Sequence, residues 1–154
     1  MSIVEFCELH QACKEGSQWA ISECETMEDV WAKVKPEWLI WVATRPGVLT
    51  DRDLRLFAVF CARQVEYLMA DDRSRHALDV AERFANGHAT KSELDAASAS
   101  ASASTAASAA TYAASAYAAS ADAARAAAWA AARATRDSQA DWLRKNTTPN
   151  FGGE

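Results

Sequence analysis

The sequence predicts an all-α protein: a bundle of short helices followed by one long alanine-rich helix, or a helical hairpin made from it. Three observations carry that prediction. Capping signatures recur along the chain, as Ser2 with Glu5, Thr26 ahead of Val30 and Thr90 with Glu93. No segment keeps the apolar/polar alternation of a half-buried strand. From Thr90 to Lys145 the chain is mostly alanine, and neither Gly nor Pro occurs between Gly87 and Pro149. Organisation follows as a helical front part over 1–88, the alanine-rich segment over 89–145 and a tail over 146–154, folding as one domain.

In order, Ser2 and Glu5 open a first helix with Ile3, Phe6, Cys7 and His10 on one face, and Gly16-Ser17 is expected to end it. Trp19, Ala20 and Ile21 begin a second. Thr26 caps a third through Val30, Trp31 and Val34. Pro36 suits the first turn of a fourth, which the Arg45-Pro46-Gly47 run terminates. Trp38, Leu39, Ile40, Trp41 and Val42 make this fourth helix apolar nearly all round, so it should be central to the core. Thr50, with Asp51 and Asp53 in the first turn, opens an amphipathic helix carrying Leu54, Phe57, Ala58, Cys61, Val65 and Leu68. Asp71 or Asp72 caps another through Ala77, Val80, Ala81 and Phe84, closed by Asn86-Gly87.

The alanine-rich segment sets a size conflict. An unbroken helix over it would be roughly 80 Å long, whereas a compact globule of this chain length is only about 40 Å across. It therefore folds back or packs on another chain, and a homo-oligomer formed through it is expected. Ser100, Thr111, Asp122, Arg133 and Arg144 form a polar line at eleven-residue spacing; Ala103, Ala106, Ala110, Ala113, Tyr117, Ala121, Ala124, Ala128 and Ala131 form a small-residue seam opposite. The Ala-Ser alternation of 97–104 is too short for a silk-like strand. The uncharged stretch 96–121 lacks Leu, Ile, Val and Phe, so insertion into a membrane is not expected. Past Leu143, Pro149 stops the helix, and Phe151 should dock back on the protein.

Charge is uneven. Residues 1–40 hold three lysines against eight acids, residues 41–83 seven arginines against seven acids, and the remainder six against six. The acidic balance argues against DNA as a partner. MSIVEFCELH carries no export signal, and four cysteines without CxxC spacing suit a reducing cytoplasm, that of a bacterial host on the reading below. Cys7, His10, Cys13 and Cys24 do not form the paired knuckles of a zinc site, so no metal is expected. His10, His76 and His88 lack the companions of a hydrolase, and Asp51/Asp53 and Asp71/Asp72 are explained by helix capping. No phosphate-cradling glycine loop exists, no cofactor is expected, and the enzyme reading is the minority one.

Arginine and tryptophan remain. Arg45, Arg52, Arg55 and Arg63 fall in or after the loop between two apolar helices, with Arg73, Arg75 and Arg83 beyond, and the preceding helix supplies Trp38 and Trp41. Arginine forks and aromatic faces hold phosphates and stack bases. The candidate ligand site is therefore Arg45, Arg55, Arg63, Trp38 and Trp41, beside the bland alternative of local salt bridges and core tryptophans.

Trp38/Trp41, the Asp71-Asp72-Arg73-Ser74 run, and Gly87, Thr90, Glu93 and Leu94 ahead of an alanine tract also carry a resemblance. The chain resembles a family of immunity proteins of phage and bacterial genomes, its specific part spanning roughly residues 19–95. The resemblance implies a role in conflict between phage, host and rival bacteria and transfers no catalytic residue. Two binding functions and one enzymatic one stay open. The protein sequesters a small anionic immune signal, such as a nucleotide second messenger, in the Arg/Trp pocket; or it blocks a toxin or defence protein through its surface; or it is a hydrolase without recognisable machinery.

Overall fold

The computed structural model describes residues 1–64, 66–68, 72–100 and 135–152, whose regular structure is helical with no strand among them. The helices are α1 (Ile3–Leu9), α2 (Lys14–Glu23), α3 (Met27–Lys33), α4 (Pro36–Ala43), α5 (Asp51–Arg63) and α6 (Asp72–Ala85), with a 3₁₀ turn at Glu66–Leu68. Residues 91–100 and 135–146 are also helical. Among the described residues no helix is long and apolar enough to cross a membrane. The expected long helix across 101–134, its small-residue seam and its polar-line members Thr111, Asp122 and Arg133 lie outside the described residues, as do Val65 and Asp71.

Contacts divide the chain into two compact units, residues Met1–Leu54 with Arg136–Glu154, and residues Arg55–Thr135. The division differs from the composition-based one at residue 88 because the last helical stretch and tail pack on the front helices.

Within the first unit, caps set the helix starts. Ser2 Oγ accepts from Glu5 N–H at 3.2 Å while Ser2 N–H donates to Glu5 Oε2 at 2.7 Å. Thr26 and Asp29 repeat the device on α3, and Pro36 takes the first position of α4. The first helix is shorter than its sequence suggests. It ends at Leu9, Gln11 adopts φ 54°, and α2 already runs from Lys14, so Gly16 lies in its first turn rather than ending α1. Cys13 caps α2, its Sγ accepting from Gly16 N–H at 3.4 Å.

The core of this unit gathers Ile3, Phe6, Met27, Val30, Trp31, Val34, Leu39, Val42 and Ala43 from the four front helices. Ala140 and Leu143 are fully buried, and Phe151 is 6% exposed. The tail docks as its lone aromatic predicts: Phe151 meets Phe6 and Trp31 edge-on at centroid distances of 5.9 and 6.2 Å. Asn150 N–H donates to Val48 O at 2.8 Å, and the Met1 ammonium to Gly152 O at 3.1 Å. Arg144 is half-buried rather than part of a solvated line, and its guanidinium donates to Trp31 O at 3.2 Å and Val34 O at 2.5 Å.

The second unit begins inside α5. Phe57 and Val59 are buried, Leu54 and Cys61 partly buried and Ala58 exposed, so burial keeps part of the expected stripe and extends to Val59 outside it. The helix stops at Arg63, short of Leu68. In α6, Val80 and Ala85 are buried, and Gly87 at φ 76° closes the helix, with His88 N–H donating to Arg83 O at 2.7 Å. Thr90 and Glu93 then form a capping box before residues 91–100.

Two outcomes follow for stability. Phe151→Ala should lose about 3–5 kcal/mol in chemical denaturation, as expected when a buried aromatic leaves a cavity; an unchanged midpoint would show that the tail adds nothing. Backbone hydrogen bonds from Ser2 and Thr90 are the main reason that the Glu5 and Glu93 carboxyls titrate below their ordinary 4.5. A depressed folded-state pKa gives stability that is present above about 4.5 and lost as pH falls through the folded value. Thermal unfolding between neutral pH and about pH 3 should therefore show a shallower acid limb in the Glu5→Gln/Glu93→Gln variant, since glutamine keeps the box but does not titrate.

Candidate functional site: a tryptophan-lined cavity

Helices α1 to α4 leave a cavity of about 280 Å³ inside the first unit. Its wall includes Phe6 and Cys7 from α1, Gly16 and Trp19 from α2, Met27 and Val30 from α3, and Trp38 and Trp41 from α4. Cys13 and Ala12 complete it between α1 and α2, and Glu37 is its one charged lining residue. That volume lies at the small end of ligand sites, which run roughly 300–1,000 Å³. It suits a single side chain or ring.

Spacing explains the wall. Gly16 and Trp19 are three apart on α2, as Trp38 and Trp41 are on α4, so each pair shares one helix face. Trp19 and Trp38 meet at 5.9 Å, inclined by 56°, and Phe6 meets Trp41 edge-on at 6.3 Å. Gly16 lies beside Trp38 and the Cys13 cap. A methyl group there would stand 3.2 Å from Cys13 Sγ and 3.7 Å from the Trp38 ring.

Cations lie on two of these rings. Lys35 Nζ is 3.7 Å from the Trp38 centroid and also 3.6 Å from Glu15 Oε1. The Arg45 guanidinium is 4.7 Å from the Trp41 centroid, and its Nε donates to Trp41 O at 3.0 Å. Glu37 pairs with Arg136 at 3.6 Å, both side chains being nearly half exposed.

Of the five residues singled out by sequence, Trp38, Trp41 and Arg45 thus belong to the first unit, the two rings as cavity wall and Arg45 over one of them. Arg55 and Arg63 belong to the second. Arg55 lies 5.2 Å from the Phe84 ring centroid. Arg63 donates to Asp79 at 2.7 Å, Glu82 at 2.9 Å and both oxygens of Glu66 at 3.1 Å. Asp79 first, then Glu82 and Glu66, push its pKa above the ordinary arginine value. Arg83 joins Glu93 and His88 O, and Arg75 joins Asp72.

Sequence reasoning missed Phe6, Gly16, Trp19 and Glu37 as site residues. The available signal was the Gly16/Trp19 pair at the same spacing as Trp38/Trp41, but Gly16 reads first as a terminator. Of the cysteine–histidine set, Cys7 and Cys13 line the cavity and His10 meets the Phe6 ring at 4.5 Å, inclined by 55°. Cys24 is buried, and burial pushes its thiol up. Among the described residues no cluster of three or more His, Cys, Asp or Glu could hold a metal ion. The chain matches no known protein family, no curated protein and no solved structure.

Arg45→Ala removes two guanidinium hydrogen bonds, to Trp41 O and Thr44 Oγ1, and one cation–π contact without opening the core. It should cost about 1–3 kcal/mol and alter the fluorescence of Trp41, measured against a Trp41→Phe background. Unchanged emission would show that the guanidinium does not rest on the ring in solution.

Proposed function

We propose that the chain is a non-enzymatic binding protein that neutralises a protein target through its first unit, with the tryptophan-lined cavity as the anchoring site. The observation that carries this reading is the cavity itself: three indoles and Phe6 around a space for one side chain, with a single charged residue in the wall. Charge supports it. The first unit holds eight lysines and arginines against thirteen acids, which accounts for the whole net charge of −5. A basic protein surface is the complementary partner. The resemblance to immunity proteins makes a toxin or defence protein the target class, and self-association through the alanine-rich tract remains part of the proposal.

One observation favours sequestration of a nucleotide as the second reading. Arg45 and Lys35 lie on Trp41 and Trp38, so stacking faces and phosphate-binding cations occur together. Against it, a whole dinucleotide exceeds the cavity, and the three carboxylates on Arg63 already take up its donors.

The two readings separate in the indole N–H region of the NMR spectrum. Capped, lysine-flanked pentapeptides with a varied central residue should shift the Trp19, Trp38 and Trp41 signals, and Ala12→Phe, which fills the cavity, should abolish those shifts. Cyclic and ADP-ribose-type nucleotides should leave them in place. Shifts produced by a nucleotide, lost in Arg45→Ala and accompanied by release of the intact nucleotide on heating, would replace this proposal with the second reading.

A further inference from the structure

The cavity wall has the composition of a site for a cation with an apolar body. Its large surfaces are three indole rings and a phenyl ring, whose faces carry the negative end of a quadrupole. Its one charged member is a carboxylate, Glu37, and no lysine or arginine belongs to the wall. Two of the rings already hold a cation at cation–π distance, Lys35 on Trp38 and Arg45 on Trp41. Neither cation stands uncompensated: Glu15 lies 3.6 Å from Lys35, and the Trp41 carbonyl accepts from Arg45.

An ammonium group is a poor occupant, because its strong hydration would be lost against walls this apolar. A guanidinium is planar, weakly hydrated and stacks on indole, and its fork matches a carboxylate with two parallel bonds. The methylene stem fills the remaining apolar space. Glu37 is the one carboxylate in the wall that such a fork can reach for, and its ion pair with Arg136 is long, at 3.6 Å, and nearly half exposed. Exposed pairs of this kind contribute little, so exchange of one guanidinium for another costs little.

Resting on the reading of the cavity as the anchoring site, we infer that the anchor is an arginine side chain projecting from a basic segment of the target protein. Arginine is also among the side chains that most often dominate protein interfaces.

The test uses the full chain and four capped pentapeptides that differ only in the central residue: arginine, citrulline, leucine or glutamate, each flanked by lysines. Citrulline keeps the shape of arginine and removes its charge. Indole N–H shifts of Trp19, Trp38 and Trp41 report occupancy, and dissociation constants come from titration. The arginine peptide should bind about ten- to a hundredfold more tightly than the citrulline peptide. Glu37→Gln, a change at a half-exposed position, should remove much of that difference while leaving the melting temperature and leucine-peptide binding in place. Equal binding of the arginine, citrulline and leucine peptides would overturn the arginine anchor and leave the cavity as an apolar site. Tightest binding by the glutamate peptide, or no indole shift with any peptide in a folded protein, would overturn the anchoring site as well.

Discussion

The first unit depends on a guanidinium set against the carbonyl end of a helix. The last carbonyls of α3 have no partner within the helix and carry the negative end of its dipole. Arg144 donates to one of them, Trp31 O, and to the carbonyl of Val34, which caps the helix, across more than a hundred residues of sequence. Bringing such distant segments together has an entropic cost that grows slowly with length, so a modest set of contacts can offset it. Leu143 and Ala140 supply the apolar part of that set, and Phe151 extends it. From there the packing reaches the cavity by direct contact: Phe151 on Phe6, and Phe6 on Trp41. The return of the C-terminal segment and the shape of the site are therefore one structural problem.

Arginine count alone is a poor guide to a phosphate site, because a guanidinium can be occupied in several ways. Arg63 is held by three carboxylates within one unit, Arg144 by backbone carbonyls, and Arg45 by a ring and the carbonyl of the same residue. A phosphate at Arg63 would have to displace carboxylates and then face them as like charges. Arg45 has a different character, since its plane is already presented on an indole. The charge distribution agrees with this sorting, with acids and bases balanced in the second unit and the excess of acids confined to the first.

Much of the fold was legible because its determinants are local. Ser2/Glu5, Thr26/Asp29, Thr50/Asp53 and Thr90/Glu93 each form their bonds within four residues, and Pro36 and Gly87 act through their own backbone preferences. What was not legible depends on distant partners. Arg144 fell on a polar line by periodicity, yet its partners lie at the C-terminal end of α3 and its cap. On α5 Val59 is buried and Ala58 exposed, which helical spacing alone did not select. The cavity draws on all four front helices, and no spacing rule within one helix foretells which residues of another will leave a gap.

Gly16 shows why local and tertiary signals conflict at the site itself. Glycine within a helix is about 1 kcal/mol less favourable than alanine, and for that reason it reads as a helix end. The helix runs through it regardless, held by the Cys13 cap one turn earlier. What glycine contributes is room beside the Cys13 cap, where a methyl group would stand 3.2 Å from Sγ, while Trp38 at 3.7 Å would be in ordinary contact. A residue that weakens its own helix lies in the cavity wall, so the local cost falls at the cavity. Sites that bind are where sequence and local structure are expected to disagree, and in the first unit that disagreement coincides with the tryptophan-lined wall.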